Sequence, residues 1–273
     1  MALLEKFPRF RDRQFALEAH TALLRATAMR VATLRTVTVK TVVNVVYNTA
    51  AQNISTPQIR SQIAVLNRDY GAHNPDKLRV PAPWRGLVTD SKIRFRLVRV
   101  VRTHTVQTQF RDDDGVKATA TGGVPPWKPD THLNLWVCPL GGGLLGYAQF
   151  PGGPTATDGV VINVQAFGTK GTAKSPYNLG RTATHEIGHY FNLRHIWGDT
   201  PDCTGGDGVS DTPNAAGPNF GKPAFPTVTC NNGPNGDMFM NYMDYVDDSA
   251  MFMFTTQQVA RMRAALSGER SSL

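Results

Sequence analysis

The sequence predicts an α+β fold: a mixed sheet with helices, then a loop-rich lobe closed by one helix. Three observations carry this. Runs of strand length, β-branched or alternating in polarity, occur at 37–48, 93–100, 133–140, 144–150 and 159–164. Apolar residues at helical spacing occur over 14–34, between 55 and 71, over 179–191 and after 255. From 196 to 254 the chain is rich in Gly, Pro, Asn and Asp and has little periodicity.

Each element has its own signal. Residues 14–34 place Leu17, Leu24, Ala28 and Val31 on one helical stripe, interrupted by Thr21. VTVKTVVNVVYN (37–48) is a β-branched strand. Ser55, Pro57 and Gln58 read as a helix start with a capping box, and Gly71 ends the run that carries Ile59, Ile63 and Leu66. In IRFRLVRV, Ile93, Phe95 and Leu97 alternate with arginines, and then the phase flips to Val98 and Val100, which predicts a bulge near Leu97. Residues 103–131 read as a long loop. LNLWVCPL, LLGYAQF and GVVINV follow as strands separated by Pro/Gly turns. A helix from about Leu179 to Phe191 carries His185 and His189, and Thr255 with Gln258 predicts a second capping box, opening a helix that turns Val259, Met262 and Leu266 inward.

Length and composition fit one large domain or two lobes: 273 residues, 41% hydrophobic, 18% charged. No apolar run reaches the length of a membrane span, and the first residues lack the apolar core of a secretory signal. The net charge of +8 is uneven: residues 1–35 carry seven Lys/Arg against three Asp/Glu, and residues 196–254 carry eight Asp against one Lys. The basic start reads as a solvated helix or leader, without the aromatic-rich basic stretch that nucleic-acid binding needs. The acidic residues are expected on loops, solvated or holding a hard cation such as calcium. Cys138 reads as a free buried thiol; Cys203 and Cys230 flank the acidic loops and can form one disulfide.

The chemistry is concentrated in HEIGHYFNLRH, residues 185–195. His185 and His189, four apart, share one helix face and can reach one ion. Glu186 leans over the same ion without binding it. Three protein ligands leave a fourth position for a water whose proton Glu186 can take. On a straight helix His195 would lie about 120° off that face and about 9 Å further along. It joins the site only if the backbone reverses between them, and Asn192, tolerant of the left-handed region, is placed to do this. His20, His73, His104 and His132 are scattered and read as surface or structural residues.

With these motifs on view, the chain resembles the metzincin zinc peptidases, whose extended motif HEIGHYFNLRH matches with Asn in place of the more frequent Gly. LNLWVCPLGGGLLGYAQFPGG, GRTATHEIGHYFNLRHIWGD, GVSDTPN, MFMNYMDYVDD and MFTTQQVARM resemble the pappalysin/cytophagalysin family, in its ulilysin-like branch, over about Val37 to Leu266. The resemblance implies a metzincin-type catalytic domain: an upper lobe (36–195) with a twisted five-stranded mixed sheet, a smaller lower lobe (196–273), zinc in the cleft between, and residues 1–35 as a leader or propeptide remnant. It also implies an extended substrate pairing with LLGYAQF, Met243 as an apolar floor under the zinc ligands, Tyr245 as a donor to the oxyanion, calcium at Asp207 and Thr212, a Cys203–Cys230 disulfide and secretion. Some relatives prefer Arg or Lys after the scissile bond through an acidic residue close to where Ser249 stands here.

The expected function is a zinc-dependent endopeptidase, with His185, His189 and His195 as ligands and Glu186 as general base, acting as a monomer on protein or peptide substrates without nucleic acid or membrane partners. Two alternatives stand beside it. One is a catalytically silent zinc- and calcium-binding interaction module; the other is an intracellular peptidase of narrow role.

Overall fold

The structure, a computed structural model, describes residues 35–273 and, before them, residues 18, 19, 21 and 22. The expected helix over 14–34 therefore lies outside the described residues except at those four positions, which are helical.

Five strands form the main sheet: β1 (Val37–Tyr47), β2 (Ile93–His104), β3 (Leu133–Cys138), β4 (Gly146–Ala148) and β5 (Val160–Asn163), in the order β2-β1-β3-β5-β4. The first four in that order are parallel, and β4 closes one edge antiparallel to β5. Strand β1 is interior and its residues from Thr41 to Val46 are all buried, which explains why VTVKTVVNVVY reads as a continuous β-branched run without clean alternation. One sheet face (Val39, Val43, Leu133, Leu135, Val160, Ile162) packs on the helices; the other packs Val46, Trp136, Cys138 and Val161 under the loop residues Phe110 and Val116.

Strand β2 carries the bulge that its phase flip implies. Thr41 stands opposite Leu97 and Val42 opposite Arg99, so Val98 is the extra residue.

Among the residues described from 35 on, three α-helices complete the frame: α1 (Thr56–Tyr70), α2 (Arg181–Tyr190) and α3 (Thr256–Ser267). Helix α3 starts in the expected capping box, with reciprocal bonds between Thr255 and Gln258. Helix α1 forms only half of its own. Ser55 Oγ accepts from Gln58 N at 3.3 Å, but the Gln58 amide turns away to donate to Phe167 O at 2.9 Å and Thr172 Oγ1 at 2.8 Å. A buried amide must find partners out of water, and the Phe167 carbonyl and Thr172 hydroxyl supply them.

The lower part of the chain is loop-rich, as expected. It holds a two-stranded ladder, β6 (Phe220–Gly221) with β7 (Tyr245–Val246), and a Cys203–Cys230 disulfide with Cα atoms 5.7 Å apart. Cys138 is free and buried. Of the acidic residues, Asp237, Asp244 and Asp248 are buried rather than solvated, and Asp207, expected as a cation ligand, is buried too. Asp237 accepts from Thr229, Asn232 and Asn219, and Asp244 from Asn219 and Tyr245 N, so neutral donors satisfy these two buried carboxylates. Among the described residues no helix is long and apolar enough to cross a membrane.

Candidate metal centre and active site

Helix α2 starts two residues later than expected because Gly180, with φ of 79°, forms its N-cap. All ten of its residues are buried. Helix α1 fixes its start: Gln62 Nε2 donates to Gly180 O at 2.8 Å, Thr184 Oγ1 to Asp69 Oδ2 at 2.8 Å, and Tyr70 Oη to Thr184 O at 3.1 Å.

The helix ends in a hydrogen-bonded reversal. Asn192 has φ of 73°, Asn192 N donates to His189 O at 2.9 Å, and Leu193 N donates to Gly188 O at 2.9 Å. This pair of bonds is the Schellman pattern, which needs a left-handed residue at the position that asparagine fills. Two buried arginines take carbonyls of the same turn: Arg270 Nε donates to Tyr190 O and Arg261 Nε to Asn192 O, each at 2.6 Å.

The reversal returns His195 to the other two imidazoles. The three Nε2 atoms lie 3.1 Å (His185–His189), 3.0 Å (His189–His195) and 3.3 Å (His185–His195) apart. Each Nδ1 is engaged behind: His185 donates to Tyr242 O at 2.7 Å, His189 to Leu193 O at 2.8 Å, and His195 to Asp199 Oδ1 at 2.5 Å. Two of these acceptors are carbonyls, so the proton sits on Nδ1 and the Nε2 lone pairs face one another. Lone pairs so opposed need a cation. Ligands about 2.0–2.1 Å from one tetrahedral zinc stand about 3.3 Å apart, so the set fits that ion. Burial, reinforced by the neighbouring His195, pushes His185 down to about 3, and burial pushes His189 well below its usual range, which keeps both rings neutral as ligands must be.

The Asp199 contact was not legible in the spacing. Gly198 and Asp199 are successive left-handed residues, with φ of 69° and 60°, and they fold the carboxylate back onto His195. Trp197 stacks flat on the same imidazole, 4.3 Å between centroids at 4°. A carboxylate behind a ligand imidazole raises its basicity and fixes its orientation. Asp199→Asn is therefore expected to weaken zinc binding about 10- to 100-fold in a chelator competition while the melting temperature moves little. An unchanged zinc affinity would show that the contact is incidental.

Glu186 points into the cleft. It is buried with no described ion-pair or hydrogen-bond partner, and burial alone pushes its carboxyl up to about 8; a cation nearby acts in the opposite direction. A cavity of about 260 Å³ opens beside it, lined among others by Gly146, His185, Phe220, Tyr245, Asp248 and Met251. Strand β4 runs directly against the glutamate: a Cβ on Gly146 would stand 2.9 Å from Glu186 Cγ. Tyr245 is 40% exposed, with its ring 4.8 Å from His195 and 5.6 Å from His185. Burial and the nearby acids, Glu186 first, push its hydroxyl up to about 12, so it remains a donor at neutral pH. Met243 is fully buried under α2, and a Cβ on Gly188 would meet its sulfur at 2.5 Å, which explains the glycine inside HEIGH. Asp248, not Ser249, brings acid to the cavity lining; its Oδ1 is buried without a hydrogen-bond partner among the described residues.

The family model described as pregnancy-associated plasma protein-A matches residues 125–267, from before β3 to the end of α3. The chain belongs to the pappalysin family. An extracellular metalloprotease of Pyricularia oryzae is 36% identical over 82% of this chain and 73% of its own length. Another from Colletotrichum graminicola is 34% identical over 87% of this chain and 79% of its own length. Among solved structures, Tannerella forsythia mature mirolysin in complex with a cleaved peptide superposes with a TM-score of 0.83 at 47% identity, covering 84% of this chain and 91% of that one. A promirolysin variant from the same organism gives 0.89 at 43% identity, covering 98% and 91%. This pappalysin is thus a zinc-dependent metalloendopeptidase with a metzincin fold, acting on peptide bonds. Nothing in these likenesses supports a silent binding module.

Two further features of this pappalysin bear on the site. Asp207, buried behind α3, accepts from Thr212 Oγ1 at 2.8 Å and from Val209 N at 3.2 Å, and burial pushes its carboxyl up to about 6. Glu18, from the segment before the sheet, pairs with both Nη atoms of Arg261, the residue that holds the Asn192 carbonyl, and its Oε1 lies 3.3 Å from Arg194 Nη2.

Proposed function

We propose that His185, His189 and His195 hold the catalytic zinc, that Glu186 is the general base, and that Tyr245 donates to the oxyanion. The observation that carries this reading is the convergence of three Nε2 atoms beside a buried carboxyl that has no other described partner. Zinc, when bound, supplies Lewis acidity toward a carbonyl and toward water. Glu186 takes the proton of the attacking water and returns it to the leaving amine. Tyr245, protonated and reachable from solvent, places its hydroxyl where charge develops on the carbonyl oxygen. The free edge of β4 suits an extended peptide added as a further strand, which lays the scissile bond across Glu186. Met243 supports α2 from beneath, and Asn192 makes the turn.

Tyr245→Phe tests the assignment. It is expected to lower kcat about 100-fold on a fluorogenic peptide, with KM and zinc content near the parent values. A parental kcat would remove Tyr245 from the mechanism.

The remaining reading is organisational. Residues 1–35 act as a leader or propeptide remnant, 36–195 as the upper and 196–273 as the lower catalytic lobe. The greater coverage by the pro-form of mirolysin than by its mature form supports the first of these. The ligand set and base come from one chain, which supports a monomer, and the disulfide together with relatives named extracellular supports secretion over an intracellular role. Asp207 with Thr212 is proposed to bind calcium, supported by a buried carboxylate already facing a hydroxyl oxygen. Calcium is expected to raise the melting temperature of chelator-treated protein, and Asp207→Asn to abolish that rise; a rise that survives the substitution would place the ion elsewhere.

A further inference from the structure

The sheet face turned away from the helices is divided. Toward β5 and the C-terminal end of β1 it is apolar and covered by Phe110 and Val116. Toward the N-terminal ends of β1 and β2 it carries cations instead. Lys40 on β1 stands opposite Arg96 on β2, both on this face, because their neighbours Val39 and Phe95 point into the helical core. Beside Lys40 on its other side is His132, the residue before Leu133, which pairs with Thr41. The bulge extends the row. Plain alternation would put Val98 on this face; with Val98 as the extra residue, Arg99 takes the place opposite Val42. Lys128 adds a further cation from the loop, with its Nζ 4.8 Å from the Trp127 centroid, and Arg99 Cζ lies 5.1 Å from the same ring.

These four cations lack carboxylate partners among the described residues. Arg94, next in the row, differs: it forms a two-point pair with Asp90 at 2.9 Å. Arg96, Arg99 and Lys128 are exposed and Lys40 is half-buried. His132 is held below its usual range by burial, with Lys40, Lys128 and Arg96 adding to the effect, which places all three charges near one ring. The wider charge distribution agrees: residues 36–195 carry 18 Lys/Arg against nine Asp/Glu, whereas 196–273 carry four against nine. Like charges held on one flat face repel each other, and a polyanion relieves that repulsion. The face lies three strand spacings from β4, about 14 Å, so an occupant leaves the peptide cleft free.

We propose that Lys40, Arg96, Arg99 and Lys128 form a docking face for an acidic polysaccharide bearing sulfate or carboxylate groups. Nucleic acid fits less well. Its bases need open aromatic faces, and the Trp127 ring is already engaged by Arg99 and Lys128. Among the described residues this face is formed by β1, β2 and the loop before β3, without a helix or ribbon to enter a groove. Such docking holds the peptidase on a charged matrix while it cuts.

The test uses the full chain and a size-defined heparin oligosaccharide as probe, with titration calorimetry at several salt concentrations. The parent is expected to bind with an affinity that falls steeply with salt. The triple variant Lys40→Glu, Arg96→Glu, Arg99→Glu is expected to bind at least about tenfold more weakly and with a shallower salt slope, while peptide cleavage stays at the parent rate. A control with Arg60→Glu and Lys170→Glu, exposed cations of α1 and the loop before α2, is expected to bind within about threefold of the parent. The proposal falls if the parent does not bind, if the control loses as much as the triple variant, or if a single-stranded DNA of equal charge binds more tightly than heparin.

Discussion

Glu186→Ala is expected to retain one zinc per chain and to lose proteolysis by about three orders of magnitude, the scale of general-base catalysis. Its sign on stability is opposite. The parent carboxyl is buried without a described partner and pushed up to about 8, so metal-free protein gains by losing it. The metal-free variant should melt at or above the parent temperature. Zinc content by plasma emission, casein turnover and calorimetry separate the outcomes. Lost turnover together with lost zinc would make Glu186 a ligand, and retained turnover would leave the base unassigned.

The second large effect is at Asn192. Valine there must adopt φ of 73°, where a β-branched residue is a severe outlier. The left-handed conformation alone costs an L-residue about 1–2 kcal/mol, and a failed reversal also withdraws the His195 imidazole. Asn192→Val is therefore expected to lower both melting temperature and zinc affinity, the latter by more than 100-fold, as one of three ligands is displaced. Asn192→Gly should do the reverse or nothing, since glycine relieves the turn and removes an Oδ1 that is buried without a partner among the described residues. Equal zinc affinity in the two variants would mean that the turn does not set the ligand geometry.

How far the molecule was readable follows from the range of each interaction. Local signals were sufficient for the strand runs, for the bulge marked by the phase flip after Leu97, and for the α3 capping box, because each is written within a few residues. The spacing of His185, His189 and His195, with an asparagine between, is likewise local, and it is what made the metal centre visible. Long-range contacts were not visible. The sequence around Gln58 signals a capping partner, because nothing in it signals a loop more than 100 residues away, at Phe167 and Thr172. The glycine- and proline-rich stretch suggests solvated carboxylates, yet Asp237, Asp244 and Asp248 are buried by contacts that its local sequence does not signal. Asp199 is only four residues from its ligand, yet two consecutive left-handed residues are needed to turn it there, and a Gly-Asp pair alone does not announce that.

The two arginines that hold the end of the zinc helix lie 69 and 80 residues downstream of the carbonyls they grip. During synthesis the HEIGH segment leaves the ribosome well before either guanidinium exists, so its final turn is without its clasps. The turn that seats His195 therefore depends on contacts from α3 and the stretch after it, and it gains them only once that downstream chain is present.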